Sequence, residues 1–169
     1  HRALIYDAKR DLVSVLYGMG LSAPPIILNP FDARALPWDI AADVQTQALA
    51  DAVAHAFIPV DRNETQPYFS NAARDFLYAV MLVFQRLMPR KWTLRDVVGT
   101  LANPDRLGDL LGRCEDTRSI FNAHSRPDNA FQNTMPTVRT KMRPYDTIAA
   151  LWARITAKPI SLLRWTQSN

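Results

Sequence analysis

The stretch from Pro67 to about Met88 constrains this chain more than any other. Phe69, Ala72, Ala73, Phe76, Leu77, Val80, Met81, Phe84 and Leu87 recur at intervals of three and four, the period of a helix with a buried face. From Ala79 to Phe84 six consecutive residues are apolar, so the helix is apolar nearly all round. A helix of that kind needs neighbours on every side, which places it at the centre of a bundle. Pro67 fits its first turn. No apolar run approaches the ~20 residues of a membrane-crossing helix. At 169 residues, 48% hydrophobic and 21% charged, the chain has the size and composition of one globular domain.

The remainder of the chain after residue 43 also reads as helices. Gln47 to Phe57 carries Leu49, Val53, Ala56 and Phe57 on one face, and a polar loop follows from Ile58 to Gln66. Thr93 with Asp96 three residues on is a capping-box variant. Asn103-Pro104 opens another helix ending near Gly112, and Asp116-Thr117 opens the next. Asp128 to Met142 places Phe131, Met135, Val138 and Met142 on one face, with Pro136 expected to kink or break it. Asp146 or Thr147 opens a last long helix with Ile148, Leu151, Trp152 and Ile155 inward, ended by Lys158-Pro159. Ser161 caps a stub from Leu162 to Trp165.

The first forty residues differ. Ala3 to Asp7 is a short apolar run ending in a carboxylate, and Ile26-Ile27-Leu28 is a second apolar run. Between them Lys9 to Met19 has helical spacing, with Gly20 as C-terminal cap. This order predicts β-α-β, the unit of a parallel sheet. Two strands do not make a stable sheet, so the rest of that sheet is expected elsewhere. Asn29 to Asp32 is a turn by composition, and the stretch to Asp43 is irregular. The chain opens without Met or a signal-peptide pattern and reads as a piece of something longer.

Little catalytic chemistry is visible. Cys114 is the only cysteine, and His1, His55 and His124 are scattered, so neither a disulfide nor a zinc site nor a nucleophile-base set is expected. A lone cysteine fits a reducing compartment. The five glycines form no phosphate-binding loop. Glu115-Asp116 sits at a helix start, where carboxylates satisfy amide groups.

The charge is uneven. Residues 1–85 hold 6 basic and 9 acidic residues, and residues 86–169 hold 14 basic and 7 acidic. Arg139, Lys141, Arg143, Arg154, Lys158 and Arg164 fall in a stretch with a single acid, Asp146. Arg139 and Arg143 are four apart and share a helix face. Tyr145, Trp152 and Trp165 are interleaved. Cations neutralise phosphates and aromatics can stack on unpaired bases; the plainer reading has Trp152 in the core and the cations solvated. Arg86, Arg90, Lys91 and Arg95 form a second, weaker group.

Several segments together resemble a known family. Ile5-Tyr6-Asp7-Ala8-Lys9-Arg10-Asp11-Leu12, then Ile27-Leu28-Asn29-Pro30-Phe31-Asp32-Ala33-Arg34 with Trp38 following, are similar to the conjugative coupling proteins of type IV secretion (the TraD/TraG type). Ala54 to Pro59 resembles that family's A-x-x-L-I-P, and Tyr68 to Leu77 its F-W-x-x-A-A-R-x-L-L. Pro159-Ile160-Ser161-Leu162 through Trp165 resembles the segment where the chain returns to the ATPase core. The similarity spans nearly the whole chain in order.

The resemblance implies a mainly α fold: a helical bundle, the all-α insertion domain, with a short β-α-β remnant of a RecA-like sheet at the N-terminus. It assigns residues 1–40 to part of a RecA-like nucleotide-binding domain, 41–158 to the all-α domain and 159–169 to the return segment. Family members are membrane-anchored, ring-forming ATPases that pass DNA and proteins to a secretion channel. The implied setting is therefore the cytoplasmic face of the bacterial inner membrane, with no direct membrane contact by this piece. ATP and Mg serve the parent; this chain, without Walker A or Walker B, is expected to carry no cofactor and not to be an enzyme. The implied partners are DNA, relaxase or effector proteins, and other coupling-protein subunits in a ring. The expected nucleic-acid contacts are Arg139, Lys141, Arg143, Arg154 and Lys158. The alternative is a protein-docking module that recruits a relaxase or effector without direct DNA binding.

Overall fold

The apolar stripe forms the helix around which the others pack. A computed structural model of the chain describes residues 3–9, 11–60, 63–125 and 130–168. Nine helices are present among them: α1 Leu12–Gly18, α2 Ile40–Asp43, α3 Gln47–Phe57, α4 Pro67–Leu87, α5 Leu94–Leu101, α6 Pro104–Leu111, α7 Glu115–Ser125, α8 Ala130–Trp152 and α9 Leu162–Gln167. Every residue of α4 from Ala79 to Phe84 is buried, and α3, α5, α6, α7 and α8 all pack against it. The stripe frays at its ends, with Phe69 half-buried and Leu87 exposed.

Local signals place several boundaries. Thr93 and Asp96 make a reciprocal capping box at α5. The Asn103 side chain accepts from the Arg106 amide at 3.0 Å to start α6, with Pro104 in its first turn. The Ser161 hydroxyl accepts from the Arg164 amide at 3.1 Å to start α9. Gly20, just past α1, has φ +63°, the left-handed conformation of a helix terminator. On α3 the buried residues are Ala50 and Ala54, while Ala56, expected inward, is exposed. Small residues there allow α3 to lie close to α4.

Two expectations are corrected. The β-α-β remnant is absent: no named strand occurs among the described residues, and only the helix between the two apolar runs forms. A strand is defined by its ladder, and neither Ala3–Asp7 nor Ile26–Leu28 has a ladder partner among the described residues; Ile27 offers its carbonyl to the Leu36 amide at 2.9 Å across the loop that follows it instead. The second concerns the break at Pro136. Residues 130–152 are one helix containing both Pro136 and Pro144. Each proline removes one backbone hydrogen bond. Both sit at exposed positions, and the carbonyls they free belong to the exposed residues Gln132 and Thr140, while Thr134, Met135, Val138, Met142 and Ala149 stay buried on the opposite side. Asp128, expected to open this helix, and His1 lie outside the described residues.

The chain enters and leaves the bundle at one place. Trp38 and Ile160 form an isolated parallel bridge; the Asp39 amide donates to the Ile160 carbonyl at 2.8 Å and the Ile160 amide to the Pro37 carbonyl at 2.9 Å. Asp43, buried at the end of α2, accepts from Trp38 Nε1 at 2.6 Å, from the Ser161 hydroxyl, and from the Leu162 and Leu163 amides at 2.8 and 3.2 Å. One carboxylate thus ties α2 to the N-terminus of α9, where the helix dipole also favours negative charge.

Candidate nucleic-acid interface

The middle of α8 carries a cationic face. Arg139 and Arg143 are exposed and lie about 40° apart around the helix, as residues four apart do. Asp146 shares that face. Its Oδ1 accepts from Arg95 Nη1 of α5 at 2.9 Å, with both side chains more than half exposed. An exposed pair of this kind adds at most about 1 kcal/mol to stability. It does, however, neutralise the one acid on that face, so that Arg139 and Arg143 stand there without a carboxylate partner among the described residues.

Between α5 and α8 lies an open groove of about 370 Å³ lined by Val98, Leu101, Ala102, Arg139, Thr140, Met142, Arg143 and Asp146. Val98, Leu101 and Met142 belong to the core beneath, so the floor is apolar and the charges stand on the rim.

The other expected residues fall elsewhere. Lys141 is half-buried and turned away from Arg139 and Arg143, because a two-residue step crosses to the far side of a helix; the three cations are not exposed together. Arg154 is exposed in the turn after α8, Lys158 in the following loop and Arg164 on α9. No ion pair joins any of these six cations to an acid among the described residues. Two of the three interleaved aromatics, Tyr145 and Trp152, are packed against other residues and not free for stacking on bases. Tyr145 stacks on Phe57 with ring centroids 4.3 Å apart and donates to the Phe57 carbonyl at 2.8 Å; burial pushes its phenol up from the ordinary value. Trp152 is half-buried against the core.

The second group also divides. Arg86 pairs with Asp116 of α7, and hydrogen bonding and charge from that carboxylate push its guanidinium up from the ordinary value. Lys91 and Arg90 are exposed. Only Arg95 joins the α8 face. It sits 51 residues from Asp146, a pairing that no local spacing signals. His124, which holds Asp75 at 2.7 Å and meets Phe76 edge-on, and His55, beside Asp51 on the exposed face of α3, are structural or surface groups.

A family model described as the type IV secretion-system coupling protein DNA-binding domain matches residues 1–151. The chain belongs to that family. The match includes Arg95, Arg139, Lys141 and Arg143 and stops before Arg154 and Lys158. No curated protein matches the chain significantly, and neither does any solved structure. As the DNA-binding domain of a type IV coupling protein, the chain presents its basic half as a helical surface. No helix among the described residues is long and apolar enough to cross a membrane.

Proposed function

We propose that this DNA-binding domain holds phosphates through Arg139, Arg143, Arg154 and Lys158, and serves a coupling ATPase that passes DNA to a secretion channel at the cytoplasmic face of the bacterial inner membrane. The observation that carries the reading is the electrostatic state of residues 139–164. Its six cations make no ion pair among the described residues, and its single acid, Asp146, is already neutralised by Arg95. Paired cations gain little from a phosphate, whereas unpaired exposed ones release a counterion for each phosphate they meet.

The test is fluorescence anisotropy with short labelled DNA between about 50 and 200 mM salt, where phosphate contacts show as a slope of log K on log salt. Replacing Arg139, Arg143, Arg154 and Lys158 by Ala flattens that slope by about 0.7–0.9 for each phosphate no longer neutralised. Lys141→Ala leaves it unchanged. No binding by the parent chain at the low-salt end defeats the reading.

Residues 1–40 are read as part of the RecA-like nucleotide-binding domain of that ATPase, 41–158 as the all-α domain and 159–169 as the return segment. Support comes from residues 3–31, which hold ten of the fourteen exposed large hydrophobic side chains found among the described residues, a surface suited to burial against more protein. Other subunits of a ring, and relaxase or effector proteins, are the partners this reading implies. ATP and Mg belong to the parent. The support for this is the sequence, in which no glycine stands in a G-x-x-x-x-G-K-[ST] context, the pattern of a phosphate-binding loop. Calorimetry on this chain is expected to detect no micromolar ATP binding and no hydrolysis.

A further inference from the structure

The groove between α5 and α8 has a property that phosphate contact does not use. Cations that meet a DNA backbone need only stand on the surface. Here Arg139 and Arg143 stand above an apolar floor of Val98, Leu101 and Met142, with Ala102 exposed at the edge. DNA bound by its phosphates lies across such a cleft without filling it. At about 370 Å³ the groove is at the small end of ligand pockets, the size for one or two anchoring side chains.

We propose that this groove docks an acidic segment of a partner protein, with an apolar residue set on the floor and flanking carboxylates held by Arg139 and Arg143. Charge complementarity selects the occupant. The lining carries Arg139 and Arg143 against Asp146 alone, and Arg95, outside the lining, neutralises that acid, which leaves two positive charges at the rim. Guanidinium groups hold carboxylates with two parallel hydrogen bonds. The occupant is an amphipathic helix laid in a groove, which presents an apolar side chain between acids one turn away on either side. Asp146 is kept from repelling it by Arg95, which ties it down from α5. The inference does not depend on DNA contact by the domain.

The test uses the full 169-residue chain and two fluorescein-labelled synthetic helical peptides. One carries a Leu flanked by Glu at positions three and four away; the other replaces that Leu by Ala. Ala102→Phe fills the groove from an exposed position and leaves every cation in place. The Leu peptide is expected to bind saturably, the Ala peptide about tenfold or more weakly, and Ala102→Phe to lose the Leu peptide by a similar factor, the size of one anchoring contact. Binding of labelled duplex DNA to Ala102→Phe is expected to stay unchanged, which separates this site from the phosphate contacts. Arg139→Ala with Arg143→Ala, both exposed, weakens the Leu peptide without unfolding the chain. Four results each overturn the proposal: no saturable binding of the Leu peptide, equal binding of the two peptides, undiminished binding by Ala102→Phe, or loss of DNA and peptide together in that variant, which makes the groove a DNA seat.

Discussion

Two carboxylates show how much one residue can hold here. Asp43 accepts from a tryptophan, a hydroxyl and two backbone amides, with no cation in the set among the described residues. Asp43→Ala leaves those donors in a buried place without an acceptor, which costs about 3 kcal/mol. Hydrogen exchange is expected to speed up at the Leu162 and Leu163 amides while the α4 amides stay slow; equal loss in both would make the clasp part of the global core. Asp32 is the half-buried counterpart at the surface. Its carboxylate accepts from the Arg34 amide and Nε at 2.9 Å and from Nη2 at 2.7 Å, and the Arg34 guanidinium lies 5.0 Å from the Tyr17 ring centroid. Those bonds hold the Asp32 carboxyl down at about 2. A lowered carboxylate stabilises the fold above its unfolded range, and the contribution fades as pH falls through about 4 towards 2. Carbon-detected NMR titration is expected to find the Asp32 midpoint near 2, and to find it back near the ordinary range in Arg34→Ala.

At the scale of elements, α4 sets the stability and α8 the surface. Phe76 is fully buried and meets Phe121, His124 and Phe131 as ring neighbours, so Phe76→Ala is expected to cost about 3–5 kcal/mol. Melting within a degree or two of the parent would contradict that packing. Pro144→Ala restores a backbone bond at an exposed turn of α8. A gain of about 2–2.5 kcal/mol is expected: the interior-proline penalty of about 3 less the roughly 0.4–1 that proline contributes by restricting the unfolded chain. What the sequence made legible follows the same division. Elements whose limits rest on local chemistry were readable: the Thr93–Asp96 box, Asn103-Pro104, the Ser161 cap, and α3 from Gln47 to Phe57. Where distant packing decides, reading from the sequence failed. The prolines of α8 were outweighed by the core under Met135, Val138 and Met142, and the two apolar runs found no ladder partner. The candidate site divides alike. Arg139 and Arg143 on one face followed from spacing, as did Lys141 on the far side once the helix ran on through Pro136; Arg95 beside Asp146 needed the fold.

For the whole molecule the decisive contrast lies between residues 3–31 and the bundle that begins at α2. The helix α1 has no buried residue, and the segment leaves Leu4, Tyr6, Val15, Met19 and Phe31 more than half exposed. Scattered exposed hydrophobics are ordinary, but a dense set marks a surface that is covered by something else. The bundle, by contrast, closes on itself where Trp38 meets Ile160, and that closure uses nothing before Pro37. The two parts therefore respond differently to excision. Among the described residues a variant lacking 1–31 loses only Ile27 from the buried set, a cost of about 1–3 kcal/mol for one aliphatic side chain. It is expected to keep a cooperative melt and the salt slope of DNA binding, since Arg139, Arg143, Arg154 and Lys158 all lie in what remains. It is also expected to associate less with itself, because the exposed apolar side chains leave with the segment. Sedimentation velocity of the full chain and the shortened one at equal concentration, beside their melting curves, decides the point. A shortened chain that fails to melt cooperatively would mean that residues 3–31 hold the bundle together despite their exposure. An unchanged degree of self-association would place the sticky surface on the bundle instead, with the groove between α5 and α8 as the first place to look.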